Sequence, residues 1–350
     1  MNDYLSKKLK TLSFIAMIMV VFIHSYNYSL YLKSDFKINP IYLAIEDFIS
    51  FHLCRIAVPG FFMLSAYLLL FEYQLTVASY FKKIKKRIQS LVIPYLLWCS
   101  LWAAVFIVIS YIPQLKVYIN NPIGLTSSFG HLLLSVYMHP VCYQFWFIRE
   151  LIVLIGISPV LYYLIQKTGI IVIGFAYLYL LFSPFELEVL HNSSLLYFLI
   201  GMAIHLHKIS AISFILKTNT ILLGMLWLGI SYLPKFPIYP CAPIDFAAPI
   251  AILTGVVFVW KVYDCCKKDT FLFKHIEKNA SYSFFLFGIH EPLLISLKKI
   301  GFALIGFSNE ARLLVYFVLP FLVYCIAINT AVYCSLKFNP LYKLFVGGRT

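Results

Sequence analysis

Long apolar runs, separated by short polar or basic stretches, make up almost the whole of this chain. A hydrocarbon core of about 30 Å takes roughly 20 apolar residues per helix. On that rule the pattern predicts about ten membrane-spanning helices, near residues 12–32, 47–71, 88–112, 145–166, 169–183, 193–207, 219–233, 243–263, 280–298 and 311–335. The fifth to seventh are short, so nine or eleven spans also fit. The fold class that follows is all-α, a polytopic integral membrane helix bundle, read as a single domain over residues 1–350. No internal repeat is visible.

Composition agrees with the pattern. Hydrophobic residues make up 62% and charged residues 12%, and the mean hydropathy is +0.87, a balance that a soluble fold with a polar surface hardly reaches. The many Phe and Tyr residues suit lipid tails and headgroup interfaces. The first apolar segment is too long for a signal-peptide core and no small-x-small cleavage site follows it, so it is expected to stay as an anchor.

A formal charge of +14 raises the question of nucleic acid, but the Lys and Arg residues lie in short clusters between apolar runs, which points to topology. Lys7, Lys8 and Lys10 precede the first span, Lys82 to Arg87 the third, and Lys267 to Lys278 the ninth. By the positive-inside rule their common side is cytoplasmic, and ten spans then put both termini there. Lys298 and Lys299 fall on the other side, against the rule. The eight cysteines form no C-x-x-C pair and read as small buried hydrophobes, with no metal site implied. The long segment 113–144 carries turn residues and then a short amphipathic run; it reads either as an interfacial helix over an external cleft or as an ordinary loop.

Ionisable side chains inside spans are costly and mark candidate function. Here they are His24 in the first span, Arg55 in the second, Arg149 and Glu150 in the fourth, and His290 with Glu291 in the ninth. His24 is either a satisfied packed imidazole or a base; Arg55 and Arg149, at similar depth, would let several polar groups converge on one cavity. Trp146 and Arg149 are three apart on one helix face, a platform for a sugar or an anion. The plainer reading is a belt Trp with a snorkelling Arg. Glu150 points elsewhere and would pair with another span. His290 and Glu291 precede Pro292, which is expected to break the span locally; they serve structural pairing or chemistry. The basic amphipathic run 81–94 reads as an anchor for anionic lipid, or as the dock for a phosphate-rich cofactor through Lys83, Lys86 and Arg87. Walker A, dinucleotide, zincin and nucleophile-elbow motifs are absent.

Six segments, "SFIAMIMVVFIHSYN", "CRIAVPGFFMLSAYLLL", "KKIKKRIQSLVIPYLLW", "FWFIRELIVLIGISPVLYYL", "LLYFLIGMAIH" and "SYSFFLFGIHEPLL", come in the order and at about the spacing of the membrane acyltransferase-3 family, which the chain resembles over nearly its whole length. The resemblance implies a ten-span bacterial inner-membrane enzyme. Such an enzyme takes an acyl group, usually acetyl, from cytoplasmic acyl-CoA and delivers it to a glycan acceptor of O-antigen, capsule or exopolysaccharide type. It also implies that His24 is the motif histidine. Two positions depart from the pattern. An arginine is common eleven residues before that histidine, about 16 Å down the helix, where this chain has Ser13; a basic residue is common where it has Ser90. Lys83, Lys86 and Arg87 are the expected substitutes.

The mechanism expected is acyl transfer with His24 as general base, for which an imidazole of pKa about 6.5 is suited; an acyl-histidine intermediate is the variant. Arg149, or Arg55, would stabilise the oxyanion or hold the acceptor. Trp146 would stack on the sugar, with His290 and Glu150 also on the acceptor side, and Glu291 would orient a histidine or the acceptor. The donor is acetyl-CoA, and the other partners are the glycan and membrane lipid, with no metal and no nucleic acid. A transporter or flippase for a lipid-linked glycan is the alternative, and a non-catalytic membrane sensor is a third reading.

Overall fold

The computed structural model describes residues 3–27, 37–71, 77–112, 130, 133–183, 185–207, 217–233 and 246–349. Among these, structure is helical throughout, apart from one isolated bridge between Leu187 and Leu190. The helices are α1 (Asp3–Ser25), α2 (Pro40–Asp47), α3 (Ala57–Leu70), α4 (Val77–Arg87), α5 (Ile93–Ser110), α6 (Trp146–Thr168), α7 (Ile171–Phe182), α8 (Asn192–His207), α9 (Thr220–Ser231), α10 (Ala247–Cys265), α11 (Phe271–Asn279), α12 (Ser283–Ile305), α13 (Asn309–Lys337) and α14 (Asn339–Phe345).

Among the described residues, seven segments are long and apolar enough to cross a bilayer: Asp3–Ser25, Pro40–Leu70, Ser79–Ser110, Tyr143–Thr168, Ala247–Cys265, Phe271–Ile305 and Asn309–Lys337. They fall where the sequence predicts its first four and last three spans. The short fifth to seventh are helices too, α7, α8 and α9, of 12, 16 and 12 residues. At 1.5 Å per residue, twelve residues cover only about 18 Å. The part of the first predicted span beyond Asn27, and most of the 113–144 segment, lie outside the described residues.

α1 is the central element. Phe14, Met17 and Val21 pack it against α12 and α13 in one apolar core, with Leu286, Leu294 and Val323. A second core joins α3, α6 and α8 through Phe62, Leu154, Phe198 and Met202. α3 and α8 approach backbone to backbone at Gly201, where a Cβ would sit 2.2 Å from the Met63 carbonyl oxygen.

Among the described residues, three π-helical and three 3₁₀ turns stand beside the α-helices. π-helical turns occupy Phe48–Leu53, Ile88–Val92 and Leu134–Met138; such turns widen a helix and frequently stand at functional sites. Pro292 does not break its helix: α12 runs continuously through it. The proline withholds one backbone N–H from the carbonyl four residues earlier, that of Gly288, and the Trp102 indole N–H donates to that oxygen instead at 2.9 Å.

Candidate active site

His24 is the penultimate residue of α1, and the chain around it is gripped from three sides. Lys298 of α12 donates from Nζ to the His24 carbonyl and, at 2.9 Å, to the Tyr26 carbonyl. These are orphan oxygens of a helix C-terminus, where a cation is favoured. Ser25 Oγ donates to the Tyr316 carbonyl at 2.9 Å. The amide of Asn27 donates to Glu46 Oε2 at 3.3 Å, and Glu46 takes a bidentate pair from Arg312, Nε to Oε1 and Nη2 to Oε2, both at 2.8 Å. Both side chains of that pair are 0% exposed. The end of the first helix is therefore fixed by charge-assisted bonds.

The imidazole itself faces a cavity of about 620 Å³. His290 of α12 lies beside it, ring centroids 5.1 Å apart and edge to face, and Tyr143 lies 6.2 Å away on the other side. The fully buried His290 donates from Nδ1 to the Phe287 carbonyl at 2.8 Å, which fixes its tautomer. Its Nε2 is then a lone-pair acceptor with no partner among the described residues.

At its far end this first cavity is lined by Ser6, Lys10, Arg87 and Arg349, and midway by Ser13. Ser13, with Leu9, Phe61 and Leu64, also lines a neighbouring apolar cavity of about 310 Å³. A further cavity of about 890 Å³ lies beyond His24 and shares Ile23, Val58, Tyr143 and Trp146 with the first. Its polar lining includes Asp47 at the end of α2, Ser50 and His52 of the π-turn and Arg55 of the 3₁₀ turn that follows it. There the His52 ring stacks on Tyr232, 4.2 Å between centroids and 12° between planes.

The residues singled out from the sequence are thus distributed rather than gathered in one cavity. His24 lines the first, Arg55 the second and Trp146 both. Arg149 is among the lining residues of neither: its guanidinium donates to the carbonyls of Met138 and, at 3.0 Å, Glu188. It therefore clamps two connecting segments around the Tyr143–Trp146 junction. Glu150, 0% exposed, bonds His191 at the entry to α8 and lies 3.8 Å from Arg149. Glu291 lines neither cavity and lies close enough to Lys298 and Tyr143 to act on them electrostatically.

Of the three expected donor-side cations, only Arg87 lines a cavity. Lys83 caps the end of α3, donating to the Leu69 carbonyl at 2.8 Å and to that of Phe71, and Lys86 is exposed. Tyr143, Lys298, the Glu46–Arg312 pair and Arg349 were not singled out from the sequence. Glu46 and Arg312 sit at the edges of predicted spans, where a charge looks interfacial, and only their pairing 266 residues apart in sequence reveals burial. Among the described residues no group of His, Cys, Asp and Glu is placed to hold a metal ion.

A multi-pass helical membrane bundle with a histidine lining a cavity that shares a wall with a second one defines a class, and sequence comparison supplies the family. The family described as an acyltransferase domain matches residues 8–336. The chain belongs to this acyltransferase-3 family. It is also similar to the succinoglycan biosynthesis protein ExoH of Rhizobium meliloti (strain 1021), 24% identical over 326 residues that take in 87% of this chain and 82% of the relative. No solved structure matches.

Proposed function

We propose that the protein transfers an acetyl group from acyl-CoA, held in the first cavity, to a hydroxyl of a surface polysaccharide or lipid-linked glycan held in the second, with His24 as general base. The observation that carries this reading is the place of His24: it lines a cavity whose opposite end is cationic, next to the Tyr143 and Trp146 wall shared with a second, polar cavity. The name of the similar succinoglycan biosynthesis protein supports a glycan acceptor. The basic clusters at the start of α1, in α4 ahead of α5 and between α10 and α12 support a cytoplasmic mouth for the first cavity; ten spans and a place in the bacterial inner membrane belong to the same reading.

The residues present fit such a donor, since the cations at the mouth suit phosphates and the walls above Ser13 are largely apolar. When bound, the donor supplies a thioester, an acyl carbon open to attack by oxygen. The chain's own part is positional and acid–base. His24 takes the proton of the acceptor hydroxyl as the hydroxyl oxygen bonds the acyl carbon, and gives that proton to the departing CoA sulfur as the C–S bond breaks; a positioned base contributes about 10²- to 10⁴-fold. His290, through its unpartnered Nε2, orients the His24 ring, and Lys298 holds the main chain beneath it. Trp146 and the His52–Tyr232 stack offer faces to a sugar, and Arg55 supplies charge on the acceptor side. Arg149 and Glu150 act through the segments they tie down, and Glu291 through Lys298.

The test is acetyl transfer from acetyl-CoA to the purified glycan by wild-type and His24→Ala protein in liposomes. A fall of about 10²-fold or more is expected, and an unchanged rate overturns the assignment.

A further inference from the structure

The cationic end of the first cavity, which the transfer reading gives to the donor, can be resolved into individual residues. Among the described residues the cavity's charged lining consists of Lys10, Arg87 and Arg349, with no Asp or Glu. All three lie at the end away from His24. Neither arginine forms an ion pair with a carboxylate among the described residues. Bringing like charges together in a partly buried place is unfavourable unless an anion joins them. Burial and then the neighbouring Arg87 charge hold the Arg349 pKa below the usual guanidinium range, at about 10, so it remains cationic at neutral pH.

Arg349 is also placed deliberately. The Phe345 carbonyl, at the end of α14, accepts from the Trp98 indole N–H at 3.0 Å. The chain then turns through Gly347 and Gly348, at φ 63° and 71°, conformations that favour glycine. Gly347 packs on the Ser90 backbone so closely that a Cβ would lie 2.6 Å from its carbonyl oxygen. This turn brings the guanidinium over the Phe284 ring, 4.2 Å from its centroid, with Nη1 donating to the Val346 carbonyl at 2.9 Å. A stacked guanidinium tied by one edge still presents other N–H donors, in the fork geometry that matches phosphate oxygens.

We propose that Arg349, with Arg87 beside it, is the phosphate anchor for the nucleotide end of the acyl-CoA donor. The spacing agrees: the fourteen residues from Lys10 to His24 span about 21 Å of helix, the reach of an extended pantetheine arm. The inference rests on the acyl-CoA reading above, but it concerns a residue from the opposite end of the chain to the histidine it serves.

The experiment is calorimetric titration of full-length protein in phosphatidylcholine nanodiscs with CoA and with 3′,5′-ADP, together with retention of phosphatidylglycerol. Arg349→Gln is expected to weaken both nucleotides by about tenfold or more, the scale of one charge-assisted pair. Lys343→Gln, the same charge change on exposed α14 surface, is expected to leave them at wild-type affinity. If wild-type protein binds no CoA, the donor reading falls and this inference with it. If wild type binds CoA and Arg349→Gln binds it equally, only the anchor falls. A loss confined to phosphatidylglycerol assigns the arginines to a lipid headgroup and likewise overturns the anchor. Should Arg349→Gln not fold, Arg349→Lys carries the test: weaker CoA binding is expected because the planar fork is lost, and wild-type affinity overturns the proposal.

Discussion

The rings of His24 and His290 meet edge to face, 5.1 Å between centroids, and Nε2 of the buried His290 ring has no hydrogen-bond partner among the described residues. A base is effective when a further group fixes its orientation, and here the helix that carries His290 also carries Lys298 beneath the same residue. His290→Gln, whose amide oxygen can stand near the lost Nε2, is expected to keep much of kcat. His290→Leu is expected to lose about tenfold or more of it, with KM for the donor unchanged in both. Equal kcat values for Gln and Leu would remove the orienting role.

Lys298 is 5% exposed and closes the C-terminal end of α1 on the carbonyls of His24 and Tyr26. Lys298→Met leaves those oxygens without a charged donor, and such bonds are each worth about 1.5–3 kcal/mol. Thermal unfolding should show the loss, and kcat should fall because the histidine is no longer held, while CoA titration of the folded protein gives wild-type affinity. A variant with full kcat would show that the cap serves stability alone.

Glu46 and Arg312 form a bidentate pair with both side chains fully buried. Removing one member of such a pair typically costs about 3–5 kcal/mol, whereas replacing both with apolar residues is often neutral. Arg312→Met and Glu46→Met are therefore each expected to be strongly destabilised, and the double variant to recover most of the loss in a double-mutant cycle. Additive losses would contradict the pairing.

The sequence makes some parts of this arrangement legible and hides others for physical reasons. Apolar run length predicts about ten spans because the bilayer fixes how many residues a span needs; seven of them coincide with long helices, and the shortness of the other three, α7, α8 and α9, is equally visible. His24 stands out because an imidazole deep in an apolar run is rare. The Trp146 and Arg149 spacing puts both on one helix face, yet α6 begins at Trp146 itself, so the indole stands at the cavity wall while Arg149 reaches the carbonyls of Met138 and Glu188. Spacing within a helix says nothing about what covers it. Lys298 looks like a violation of the charge rule because the rule counts loop charges and cannot see a partner at the end of α1. The π-turn at Phe48–Leu53 has no sequence signature, so the polar wall it supplies to the second cavity could not be read. Arg349 reads only as one more charge beyond the last span until the fold brings it to Arg87.

Pro292 leaves the Gly288 carbonyl without a helical donor, and Trp102 fills the gap from α5. Trp102→Phe keeps the ring and removes the donor. The unmet carbonyl is expected to cost about 1–3 kcal/mol, read as a lower unfolding midpoint. Gly288→Ala acts at the same residue through a different neighbour, since its Cβ would fall 2.4 Å from the Trp98 ring, and it should be the more damaging of the two.

Gly347 links the anchor to the rest of the fold, and its substitution separates placement of Arg349 from its charge. A side chain there would meet the Ser90 backbone at 2.6 Å and would sit at φ 63°, a conformation that costs a non-glycine residue about 1–2 kcal/mol. Gly347→Ala is therefore expected to displace the segment that carries Arg349 without removing any cation, and to weaken CoA binding in the direction of Arg349→Gln. Gly348→Ala is the internal control: it has a similar φ of 71° but no atom within 4 Å of its Cβ position, so it adds the backbone strain without the collision. If the two alanine variants bind CoA equally well, the close packing on Ser90 is not what delivers Arg349 to the cavity.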